Sequence, residues 1–118
     1  MEPIILDSTL KSLQFKLGGT VTTNQLPFVC SYADNNGTIF TEGVNDGVSN
    51  NTTAVNLAAA PASGYRRIIK SISIKNEDTV AQTVTIIYNN NSTLRNIVVV
   101  TLQAGDRWTM DGTYDSTG

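Results

Sequence analysis

The chain has 118 residues, room for one domain that can bury roughly two-thirds of its unfolded surface without staples. Its net charge is −2 and only 15% of its residues are charged, against ~25% in typical soluble domains; Asn, Thr, Ser and Gly fill the difference. Arg66, Arg67 and Lys70 form its one basic cluster, too little to displace counterions along a nucleic acid. The sequence contains no histidine and a single cysteine, Cys30, which excludes an internal disulfide, the usual zinc sites and Ser-His or Cys-His catalysis.

Residues 1–10 read as an N-terminal arm. Ile4, Ile5 and Leu6 are apolar without period, and Asp7-Ser8-Thr9 stops them. Such a segment has to be covered, either by its own domain or by another subunit. It lacks the basic start and cleavage site of a signal peptide, and no stretch of the chain reaches the ~20 apolar residues that cross a bilayer. The expectation is a protein made in the cytoplasm, with no membrane partner.

Leu13, Phe15 and Leu17 alternate with Gln14 and Lys16 and predict a first strand, which Gly18-Gly19 ends. Gln25 to Tyr32 predicts a second, with Leu26, Phe28, Cys30 and Tyr32 inward; Pro27, lacking a ladder donor, points to an edge or to an unpaired position. Asn36-Gly37 is a hairpin signal, with a short strand expected at Thr38 to Thr41. Residues 42–51 have two glycines and no period, and predict the longest loop. Because loops often carry recognition, Val44, Asn45 and Asp46 are candidate partner-binding residues, together with Ile4, Ile5 and Leu6 of the arm. Thr52 to Ala59 predicts another strand, and Pro61 and Gly64 keep the alanine run after it from forming a helix.

From Arg66 to Asp111 the alternation is strongest. Ile68, Ile72 and Ile74 share one parity, then Val80, Val84, Ile86 and Tyr88, then Leu94, Val98, Val100 and Leu102, then Trp108 and Met110. The connections NED, NNNST and QAGD have turn compositions, so the stretch predicts a meander of about four antiparallel strands. Ile87, Ile97 and Val99 break the outer parity and call for cover by a neighbouring segment or a partner chain. Residues 113–118 read as a flexible tail. The sum is all-β: a single-domain antiparallel β-sandwich, jelly-roll-like, of about seven or eight strands over residues 11–112, with essentially no helix.

Chemistry is sparse. The carboxylates fall almost entirely in predicted turns, where Asp caps backbone. Asp34-Asn35-Asn36-Gly37 and Asn45-Asp46-Gly47 offer oxygen ligands without matching a calcium loop. Tyr65, Trp108 and Tyr114 are the residues from which a sugar platform would be built, although Trp108 has core parity. No catalytic residue, metal or cofactor is expected.

The runs VTTNQLPFVCSYAD (21–34), NDGVSNNTTAVNLAAAPASGYRR (45–67) and IKSISIKNEDTVAQTVTIIYNNNSTLRNIVVVTLQAGD resemble a family of small β-rich structural proteins of tailed bacteriophages. The resemblance implies a virion component, foremost a capsid decoration (cement) protein that binds the major capsid protein lattice as a homo-oligomer such as a trimer. Head-fibre, neck or tail modules are the nearest alternatives, and a carbohydrate-binding module is the alternative outside the virion.

Overall fold

The computed structural model describes residues 4–110 and the backbone of 114–115. It contains β1 (Ile4–Leu6), β2 (Lys11–Leu17), β3 (Pro27–Asn35), β4 (Phe40–Val48), β5 (Val55–Ala58), β6 (Arg66–Lys75), β7 (Gln82–Asn90), β8 (Thr93–Leu102), β9 (Arg107–Thr109) and β10 (Tyr114–Asp115), with no helix among the described residues. One antiparallel sheet runs β10-β9-β6-β3-β4, with β1 beside β9 on the same side of β6; the second runs β5-β2-β7-β8. The two stack as a sandwich, so the all-β fold expected from the alternation is observed. Its shortest dimension is 20 Å, the thickness of two sheets with their outer side chains.

Between the sheets lie Leu13, Phe15 and Leu17 of β2, Phe28 and Cys30 of β3, Ile69, Ile72 and Ile74 of β6, Val84 and Ile86 of β7, and Leu57, Leu102, Trp108 and Met110. Phe15 and Phe28 meet edge to face at 5.3 Å across the layers, an arrangement the ring quadrupoles favour.

The connectivity departs from the expected meander. Of its four strands β6 to β9, only β7 and β8 form a hairpin; β6 to β7 and β8 to β9 pass from one sheet to the other. Buried polar side chains make the corner. Asn76 Nδ2 donates to the carbonyls of Val80 and Leu102 and its Oδ1 accepts from Asp78 N, each at 2.9 Å. The Asp78 carboxylate accepts N–H bonds from Thr22, Thr23 and Asn24 and an amide bond from Gln82. It thereby ties the β2–β3 crossover to the β6–β7 crossover. Burial by itself pushes the Asp78 carboxyl up, but these donors outweigh it and hold the group well below the usual carboxylate range. Four of the crossovers, β2–β3, β4–β5, β6–β7 and β8–β9, gather at this end, where Ser49 Oγ also accepts from Leu26 N and donates to Gln25.

Four further expectations are corrected. Residues 42–51 are mostly not a loop: β4 is a nine-residue strand paired with β3 along its whole length. Second, of the two placements that Pro27 allowed the edge is excluded, since β3 lies between β6 and β4; Pro27 is its first residue, opposite Val48 of β4 and without a ladder partner in β6, a position that tolerates proline. Third, a bulge in β6 at Lys70 reverses the parity, so Ile69 rather than Ile68 enters the core. Fourth, a bulge near Ile97 does the same in β8, sending Val98, Val100 and Leu102 inward and Leu94 outward. The arm segment Ile4–Leu6 is a strand of the first sheet, and the Asn36-Gly37 hairpin is present, with Gly37 at φ 93. Of the tail, Tyr114–Asp115 pairs with β9; the rest lies outside the described residues.

Candidate functional site

Among the described residues, no group of three or more His, Cys, Asp or Glu side chains is placed to hold a metal ion. Burial pushes the Cys30 thiol up to about 11, with Arg67 pulling weakly the other way, so the thiol stays protonated and inert at neutral pH. Asp34, a calcium candidate, is engaged by Arg67: Nε and Nη2 reach its two oxygens at 2.9 and 3.0 Å. The same guanidinium donates to the Ala59 carbonyl at 2.9 Å and lies 4.1 Å from the Tyr32 ring centroid. The aromatic platform does not assemble, because Trp108 is buried in the core while Tyr65 sits in a turn. The side chain of Tyr114 lies outside the described residues.

What the fold does present is exposed strand edge, longest at two of its sheet margins. The first is β4, the margin of the first sheet. Its outer face carries Phe40, Val44 and Val48, each more than half exposed, alternating with Glu42 and Asp46. Val29 of β3 stands opposite Asp46 and so between Val44 and Val48, making a short apolar stripe. The inner face of β4 carries Gly43, Asn45 and Gly47. A Cβ on Gly43 would sit 2.7 Å from the Tyr32 ring, and one on Gly47 3.1 Å from Phe28; glycine lets these two rings reach the margin. Asn45 turns inward and donates to the β5 carbonyls of Leu57, at 2.9 Å, and Asn56. It therefore links the margins of the two sheets, beside a groove of about 500 Å³ lined by Phe28, Tyr32, Asn45, Asp46, Val55 and Arg67.

The second is β8, the margin of the second sheet. Leu94, Ile97 and Val99 face solvent, Val99 at 64% exposure. On the inner face Val98 and Val100 are only half-buried, since β8 packs chiefly on β7. Ile87 is enclosed by its own sheet, between Gln14 and Asn96. Ile97 and Val99, the other two residues expected to need cover, stay exposed.

Of the sequence candidates, Val44 and Asp46 are thus on the open face of β4, and Asn45 holds the margin together. Ile4 is half-buried and packed on the core, Ile5 is partly exposed, and Leu6 is fully enclosed, which withdraws the Leu6 side chain from any partner. Sequence reasoning missed Phe40, Val48 and Val29. The recurrence Phe40, Val44, Val48 against Gly43 and Gly47 is a strand period that the two glycines disguise. Comparison of the chain with protein-family models, curated proteins and solved structures finds no match.

Proposed function

We propose that this chain is a structural protein of a tailed-phage virion that works as a capsid decoration protein. Its partner in this reading is the major capsid protein lattice, and it acts by shape alone: a rigid two-sheet body binds the assembled shell and not its separated subunits, stabilising the shell by mass action. The observation that carries the reading is the apolar stripe Val29, Phe40, Val44 and Val48 on the outer face of the first sheet. Glu42 and Asp46 are interleaved with it along β4 and Lys70 pairs with Glu42 beside it, so apolar and charged groups share the patch, as they do in non-obligate interfaces. The resemblance of most of the chain to small phage structural proteins supports the same reading.

The test is copy number in purified particles, counted by quantitative mass spectrometry. Copies comparable to those of the major capsid protein are expected. A handful per particle overturns the lattice role and moves the protein to a neck, fibre or tail position; none at all removes it from the virion.

A further inference from the structure

We propose that β8 is the surface through which two copies of this chain associate, their β8 strands pairing antiparallel about a twofold axis to join two four-stranded sheets into one. The inference goes beyond the virion reading and does not depend on it. β8 offers ten residues of backbone, an edge about 33 Å long with no second ladder partner among the described residues, and it is apolar on both faces: Leu94, Ile97 and Val99 outside, Val98 and Val100 half-covered inside. Exposed edges of this kind are normally blunted by lysine, proline, bulges, inward charge or a covering segment. In TLRNIVVVTL the bulge near Ile97 and the single charge, Arg95, both fall in the first half, and the run from Val98 to Leu102 is regular and uncharged.

A second copy fits this edge better than a charged strand of another protein. Pairing centred on Val99 sets Val99 beside its counterpart and Ile97 beside Thr101 of the other copy. It carries the two Arg95 side chains to opposite ends, about 26 Å apart and beyond the ~10 Å reach of screened charges; parallel pairing would put them side by side. With no acidic residue and one basic residue, β8 gives a charged partner almost nothing to complement. The same contact covers the inner Val98 and Val100 of both copies. Two such edges bury on the order of 1,000 Å² in total, the low end of specific interfaces, and the contact is isologous, so it closes as a dimer.

Sedimentation velocity on the purified full chain tests this, up to about 100 µM, a concentration that fills a micromolar interface. Wild type is expected to dimerise. Val99→Lys and Ile97→Lys, two substitutions of exposed side chains, are each expected to weaken association at least tenfold, whereas Val44→Lys on β4 leaves it unchanged; circular dichroism confirms that each variant is folded. Independently of those variants, Val99→Cys is expected to form an intermolecular disulfide under mild oxidation, since directly opposed strand positions lie within disulfide reach and the buried Cys30 does not compete. A wild type that stays monomeric at the highest concentration overturns the proposal. So does a dimer that survives both lysines, or one that cross-links through Val44→Cys and not through Val99→Cys.

Discussion

The two outer strands β4 and β8 are of similar length and both leave apolar side chains in solvent, yet they are finished in different ways. β4 is tied on its inner side, where Asn45 bonds to β5 and the rings of Tyr32 and Phe28 fill the space above Gly43 and Gly47; on its outer face Glu42 pairs with Lys70. β8 rests on β7 through its ladder and the Thr83–Thr101 hydroxyl contact of 3.0 Å, and is held at its end by Asn76 Nδ2, which donates to the Leu102 carbonyl at 2.9 Å. Among the described residues both strands have a ladder partner on one side only; they differ in side chains, β4 mixing Glu42 and Asp46 with its valines on the outer face and β8 carrying Arg95 as its single charge. In the proposed roles β4 would dock by its side chains, and β8 would pair by strand addition.

The largest expected effect comes from removing what both margins hang from. Asp78 is buried and anchors two crossovers, so Asp78→Ala should lower the melting temperature more than any change at either margin, leaving three backbone N–H groups without their acceptor. The same carboxylate sets a pH dependence. Its folded-state pKa is depressed, so its contribution is complete above the ordinary carboxylate pKa, about pH 4, and is lost as pH falls below that toward the folded value. Urea midpoints measured from pH 6 down to about pH 2 should fall for the wild type, and the acid limb should flatten in Asp78→Asn.

Next in size is a break at β4 alone. Gly43→Val forces the Tyr32 ring off its seat under Arg67, an overpacking expected to cost about 1–3 kcal/mol in urea unfolding. Gly47→Ala, with the milder 3.1 Å contact, should cost less than Gly43→Val. Asn45→Ala, which leaves two β5 carbonyls to water, should cost about 1 kcal/mol. The smallest effect sharpens the β8 side. The β7–β8 hairpin turns through Asn91 and Ser92 at φ 51 and 71, a two-residue geometry that prefers glycine at the second position. Ser92→Gly should therefore stabilise by about 0.5–1 kcal/mol and leave association unchanged. An equal loss from Asn45→Ala and from Val99→Thr would erase the distinction between the margins, because exposed Val99 should tolerate threonine within about 0.5 kcal/mol.

Period-two alternation and turn residues are short-range signals, and they made the β-sandwich, the Asn36-Gly37 hairpin and the core members Phe15, Phe28, Cys30 and Ile86 readable from the chain. Sheet assignment was not readable. The NED turn between β6 and β7 has hairpin composition, and what converts it to a corner is Asp78 meeting Thr22, Thr23 and Asn24, more than fifty residues away in sequence. Nor were the bulges at Lys70 and near Ile97, which shift parity by one residue without any glycine or proline to mark them. β4 is concealed because an edge strand with glycines and Asn45 inside, and valines mixed with Glu42 and Asp46 outside, lacks the two-toned pattern of a half-buried one. Of the candidate site, Val44, Asn45 and Asp46 were found through a mistaken loop assignment, while Phe40 and Val48 needed the strand to be seen.

Cys30 lies at the middle of β3, between β4 and β6, with its side chain wholly covered. The protein therefore carries one thiol where only opening of the first sheet can uncover it. Its rate of modification by a thiol reagent would follow that opening directly, giving a built-in clock for how often the body of the molecule breathes and for how far an attached shell or a second copy slows it.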